Sequence, residues 1–148
     1  MPDDERDFRL ARGDPFALRL NIEKAHKIAG PLTWQEAGGG DHTATPQIFG
    51  DVVLARKDSP SSYHLSVTVD DHLQGVTLVT RGEDLRQATH IHRLLQALLA
   101  YKVPDYSFHR ILTDDDGRRY AKRDRSLTLR SLREDGATPA DIRRRVGL

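Results

Sequence analysis

Five basic side chains, Arg118, Arg119, Lys122, Arg123 and Arg125, fall within eight residues of the stretch DDDGRRYAKRDRS (114–126). Tyr120 is its only large apolar residue, so the stretch reads as a surface loop rather than a core element. As chemistry, it would clamp a phosphate. Lys122 would act as a point charge on a polyphosphate, and Arg123 would add paired donors. By composition alone the run also suits a solvated charged turn, the commoner fate of such runs. Arg81 is a second candidate. It ends the β-branched run GVTLVTRG (75–82) and precedes Glu83 and Asp84. It would either face an anionic substrate or pair with one of those two acids. The hydroxyl of Tyr63 could orient a small polar ligand, or its ring could simply pack at an edge. Asp70 and Asp71 suit a turn better than a metal site. His90 and His92 lie about 200° apart around a helix axis, which disfavours a shared zinc ion. Neither a G-x-x-x-x-G-K-[ST] phosphate loop nor a G-x-S-x-G nucleophile turn is present.

The elements that must position these groups belong to a polar, single-domain-sized chain. Of its 148 residues, 37% are hydrophobic and 30% charged, and the net charge is +1. That charge does not announce a nucleic-acid binder. Its distribution says more, because residues 118–145 carry ten Arg or Lys against four acids. There is no cysteine, which excludes disulfides and thiolate metal sites and suits a reducing, cytoplasmic setting. No apolar run approaches the roughly 20 residues of a membrane span, and the polar MPDDERDFRL is not a signal peptide.

Residues 1–15 read as frayed or extended. PFALRLNIEKAHKIAG (15–30) reads as a short strand and a helix closed by Gly30 and Pro31. EAGGGDHTATPQ (36–47) reads as a loop, GDVVLARKD (50–58) as a strand and SPSS (59–62) as a turn. YHLSVTVDD (63–71) alternates, with Leu65, Val67 and Val69 on one face, and reads as a strand. Residues 83–102 carry the strongest helical pattern, with Leu85, Ala88, Ile91, Leu94, Leu95, Leu98 and Leu99 at i, i+3, i+4 spacing. A loop and short strand follow, then the basic loop and two helices. The second helix starts with Thr138 as N-cap and Pro139 at its first position. Strands alternating with helices imply an α/β domain with a mostly parallel sheet, whose ligands sit where strand-end loops converge.

In this order the pieces resemble a known family. The pattern Y-H-L…V-D-D-x-L-x-G-V-T-x-V-x-R-G-x-D-L, followed by DDDGRRYAKRD, is similar to the second half of the catalytic domain of glutamate-type class I aminoacyl-tRNA synthetases. The resemblance implies an α/β fold, the second half of a Rossmann-like class I synthetase domain, with a parallel sheet, flanking helices and a short-helix ending. It is clear over 50–130. Residues 1–49 would form a loosely matching connection and 131–148 the closing helices, all within one partial catalytic domain. RYAKR (119–123) takes the place of the KMSKS-type loop, which in the family closes on ATP and stabilises charge on the triphosphate. The resemblance thus implies ATP contacts for Arg119, Lys122 and Arg123, with Lys122 catalytic and Mg2+ accompanying ATP. It implies glutamate contacts for Tyr63 and Arg81. Arg119 replaces the motif's first lysine, and Tyr120 its usual Leu or Met.

The ending DIRRRVGL, with LQGVT and THIHRLLQALL, most resembles the short branch of the family without an anticodon-binding domain. By that resemblance the enzyme activates L-glutamate with ATP without needing tRNA. It then esterifies the glutamate to queuosine in the anticodon of tRNA(Asp). A fragment of glutamyl-tRNA synthetase is the alternative within the family. A non-catalytic remnant binding RNA or nucleotide through its basic tail is the alternative outside it. The family's P-S-P-T-G turn, H-x-G-H motif and cysteine-rich zinc insertion have no counterpart here. The chain is therefore expected to be a C-terminal half, inactive or nearly so alone, without zinc, to be completed by a separate N-terminal half. Its sheet is expected to expose an apolar edge.

Overall fold

The structure, a computed structural model, describes residues 2–113, 117, 119 and 128–147. It divides into two compact units, Met1–Phe108 and His109–Leu148.

The first unit opens with helix α1 (Asp3–Ala11), whose first turn holds Asp3, Asp4 and Glu5. The expectation of a frayed or extended start is thus corrected. Three acids at a helix N-terminus complement its dipole and favour the helix. Strand β1 (Ala17–Leu20) leads into α2 (Ile22–Ala29), capped by Asn21, whose side chain accepts the Lys24 N–H. β2 (Thr33–Glu36) and β3 (Gly40–Thr43) form a hairpin across the glycine run that read as a loop. Gly38 and Gly40 hold φ of +79° and +85° in that turn, a backbone region open to glycine. A 3-10 turn (Pro46–Phe49) precedes β4 (Val52–Arg56), which pairs antiparallel with β1.

Residues 63–71 are not a strand. Helix α3 spans Tyr63–Leu73, with Ser62 at its N-cap accepting the Leu65 N–H. The β-branched Val67, Thr68 and Val69 imitate strand composition. Leu65, Thr68 and Val69 nevertheless also satisfy helical spacing, and Thr68 is the residue buried. Asp70 and Asp71 therefore lie within a helix, not at a strand end. β5 (Leu78–Gly82) follows, and a 3-10 turn (Glu83–Leu85) separates it from α4 (Ala88–Leu98). The helix expected over 83–102 is thus shorter. β6 (Asp105–His109) completes a four-stranded sheet in the order β3-β2-β6-β5. The β2–β6 pairing is parallel and β2–β3 antiparallel, so the α/β class stands with a mixed sheet.

Ile91, Leu94 and Leu95 of α4 enter one core with Ile22, Leu32, Trp34 and Tyr106. α2 and α3 both pack on α4. The Trp34 ring stacks on His42 at 4.3 Å and meets the edges of Tyr106 and Phe108. Leu73 and Leu78 remain exposed, at 74% and 48%.

In the second unit α5 (Leu129–Glu134) is capped by Thr128, and α6 (Pro139–Val146) by Thr138, each through a reciprocal capping box. The expected Thr138 cap and Pro139 start are found.

Leu94→Ala is expected to lower unfolding free energy by about 2–5 kcal/mol, because the side chain is fully enclosed. Leu73→Ala should change it by less than about 0.5 kcal/mol. Urea titration followed by circular dichroism measures both.

Candidate functional site

Strand β5 alternates, which turns Val79 and Arg81 inward while Leu78 and Thr80 face out. Arg81 is consequently buried, at 8% exposure. Thr89 and His92, three residues apart, share one face of α4. Both reach Arg81. Its Nη1 donates to His92 Nδ1 at 2.9 Å, and its Nη2 donates to Thr89 Oγ1. The guanidinium lies 5.0 Å from the ring centre of Tyr106 and 5.7 Å from that of Phe108. These are alternate residues of β6, so one face of the strand presents both rings. Arg81 Nε is buried without a hydrogen-bond partner.

No ion pair among the described residues includes Arg81. The expected alternative, pairing with Glu83 or Asp84, gives way to another arginine. Arg86 takes Glu83, and it also forms a fork with Glu36, Nη1 to Oε2 at 2.6 Å and Nη2 to Oε1 at 2.8 Å. Arg86 also sits over the Phe108 ring at 4.1 Å. The two carboxylates hold the Arg86 pKa above its ordinary value, and Arg86 in turn lowers that of Glu36. Arg86 is thus a neutralised strut. Arg81 instead has hydrogen bonds only to the uncharged acceptors Thr89 and His92.

The hydrogen bonds also determine proton positions. A guanidinium only donates, so His92 Nδ1 must be an acceptor. The proton of His92 therefore sits on Nε2, which lies 3.0 Å from His64 Nδ1. His92 donates that bond and His64 accepts it. Burial, then Arg81, then His64 push the His92 pKa down to about 3. Burial and Arg81 also lower that of His64. Asp71 feels Arg81 electrostatically, yet burial outweighs that attraction and raises its pKa.

Tyr63, the first residue of α3, is half exposed at 52%. Its ring meets His92 edge-on at 5.8 Å. The two residues expected to contact glutamate, Tyr63 and Arg81, thus converge on one imidazole. Arg119 belongs to the second unit and bridges to Thr113. Lys122 and Arg123 lie outside the described residues. His90 and His92 do face different ways, since His90 Nδ1 accepts the Thr45 N–H at 3.1 Å. Among the described residues no group of three His, Cys, Asp or Glu is placed to hold a metal ion. Likewise, no helix among them is long and apolar enough to cross a membrane. Sequence reasoning overlooked Thr89, His64 and the part played by His92. The available signal was the i, i+3 pair on the helix directly after Arg81.

Among solved structures, the fold matches glutamate–tRNA synthetase from Elizabethkingia anophelis. The TM-score is 0.64 at 20% identity, over 95% of this chain and 28% of that one. A glutamate–tRNA ligase from Elizabethkingia meningosepticum in complex with its amino acid matches equally, over 93% of this chain and 25% of that one. The fold is therefore one found within glutamate–tRNA synthetases. The family model for tRNA synthetases class I (E and Q), catalytic domain, matches residues 2–148, and the chain belongs to that family. It is 50% identical over 136 residues to glutamyl-Q tRNA(Asp) synthetase of Rhodobacter capsulatus, covering 89% of this chain and 49% of that protein. It is 37% identical to the Nocardia farcinica protein of the same name, over 96% of this chain and 43% of that protein. Identity to glutamate–tRNA ligase of Thermus thermophilus is 31%, over 97% of this chain and 30% of that protein. The chain thus spans about half the length of the first two relatives.

The lowered His92 pKa has a consequence for stability. Above pH 6.5 the imidazole is neutral whether the chain is folded or not. Below it the unfolded chain takes up a proton that folded His92 resists until about pH 3. Stability should therefore fall on acidification, by up to about 1.4 kcal/mol per pH unit from this group. Urea midpoints between pH 7 and pH 5 should show the decline, and His92→Gln should make it shallower.

Proposed function

We propose that the chain supplies the glutamate-recognising half of a glutamyl-Q-type ligase. The observation that carries this reading is the buried Arg81, which is ion-paired with no carboxylate of the described residues. An arginine cannot shed its proton to escape burial, so an enclosed guanidinium without an ion pair favours an arriving anion. Tyr63 stands beside the same imidazole that holds Arg81. The side-chain or α-carboxylate of L-glutamate is an anion of fitting size and chemistry.

In the reaction, the α-carboxylate of glutamate attacks the α-phosphorus of Mg2+-bound ATP. Glutamyl-adenylate forms and pyrophosphate leaves. A hydroxyl of the cyclopentenediol ring of queuosine in tRNA(Asp) then attacks the acyl carbon, and AMP leaves. Tyr63 and Arg81 would orient the glutamate. Arg119, Lys122 and Arg123 would contact ATP, with Lys122 offsetting charge on the departing pyrophosphate. The 50% identity to a glutamyl-Q tRNA(Asp) synthetase, against 31% to glutamate–tRNA ligase of Thermus thermophilus, supports this branch. The H-x-G-H half is absent from this sequence. Alone, the chain would lack the groups that position adenosine, and positioning supplies much of the rate.

Glutamate-dependent ATP–pyrophosphate exchange without tRNA tests the reading. The chain alone should be silent, and the chain mixed with the N-terminal half of a related enzyme should be active. In the active mixture Arg81→Gln should lower kcat/KM for glutamate by about 100-fold or more, because a buried charge contact is lost. Silence of an assembled mixture would refute the proposal. Esterification of queuosine-bearing tRNA(Asp), rather than the 3′ end of tRNA(Glu), distinguishes the two branches.

A further inference from the structure

Arg81 and Arg86 stand five residues apart and share the aromatic face of β6, yet they are held in opposite ways. Glu36 and Glu83 grip Arg86 with carboxylates. Arg81 is gripped by a hydroxyl and an imidazole. A carboxylate in place of His92 would hold the fork more strongly, by adding charge to the hydrogen bond. It would also cancel the positive charge. A neutral imidazole offers one lone pair, which aims Nη1 and leaves the charge intact. His92 is itself aimed. Its Nε2–H meets His64 Nδ1 at 3.0 Å, so the ring cannot turn without losing a bond at each end. His92 is 3% exposed, and an enclosed polar ring has no water to replace those partners.

We propose that the His64–His92 pair is a positioning device that aims the Arg81 guanidinium at an anionic substrate group without pairing it to a carboxylate. The proposal rests on the glutamate reading above and assigns to positions 64 and 92 a part in it. His64 and His92 are positioning residues. They act through Arg81 and touch no reacting atom.

The 148-residue chain and three variants, His92→Gln, His92→Leu and His92→Glu, test it. Nitrogen-15 NMR at neutral pH reads the imidazole tautomer and the Arg81 Nη protons without any ligand. Wild type should show His92 protonated on Nε2 and protected Nη signals. His92→Gln, whose amide also accepts and donates, should keep those signals, and His92→Leu should lose them. Signals that persist in His92→Leu would overturn the positioning role.

Calorimetric titration with L-glutamate supplies the second readout. His92→Gln should bind within about threefold of wild type, and His92→Leu at least about tenfold more weakly. His92→Glu is decisive. It should stay folded, with a melting temperature no lower than that of His92→Leu, yet bind at least about tenfold more weakly than His92→Gln. If His92 served only to hold the fold together, the glutamate variant would bind as well as the glutamine one, and that result would overturn the proposal. Wild type that shows the expected NMR pattern but binds no L-glutamate would remove the glutamate reading and leave the aiming of Arg81 standing.

Discussion

A guanidinium withdrawn from water must be compensated by hydrogen bonds, by aromatic faces or by an opposite charge. Arg81 receives the first two and, among the described residues, no ion pair. Much of the first unit serves that arrangement. β5 delivers the side chain inward, α4 supplies Thr89 and His92, α3 supplies His64, and β6 lays Tyr106 and Phe108 beneath the charge. Gln96 of α4 donates to the Tyr106 hydroxyl at 2.9 Å, which ties the helix to the ring.

Such a site opposes stability. A buried ion pair would offset the desolvation of Arg81 better than neutral acceptors do, and Arg86 shows that the same neighbourhood can build one. Glu36 reaches Arg86 from the β2–β3 hairpin, where the absence of a side chain at Gly39 matters, since a Cβ there would lie 2.9 Å from Glu36 Cδ. The core beneath, centred on Ile91, Leu94, Leu95 and Trp34, is apolar and enclosed. Packing below thus supports an arrangement above that gives up some stability to keep a charge available.

Membership of the class I (E and Q) family places that charge in context. Ligases of this kind need one group that selects the amino acid and another that stabilises a triphosphate in transit. In this chain the two candidates belong to different units. Arg81 and Tyr63 lie in the first, and the basic loop lies in the sequence of the second.

The sequence by itself determined the α/β class, the strand that ends in Arg81, the apolar stripe of α4 and the Thr138 cap. These rest on local patterns of period 2 or 3.6 and on short-range hydrogen bonds, which a chain displays residue by residue. It also marked Tyr63 and Arg81 as candidates, because both fall within a motif that resembles a known family. Only the tertiary structure decided what depends on partners distant in the chain. Residues 63–73 form a helix although Val67, Thr68 and Val69 favour a strand, and there α3 packs on α4. Whether Arg81 or Arg86 would be neutralised was unreadable, since both stand near Glu83 and Asp84. Glu36, fifty residues away, completes the fork on Arg86. Spacing separated His92 from His90 as a metal pair and assigned it no other part, whereas contact with His64, 28 positions earlier, makes it a link to Arg81. Spacing reports which side chains can share a face. Which charges are cancelled depends on long-range contacts that the folded chain alone brings together.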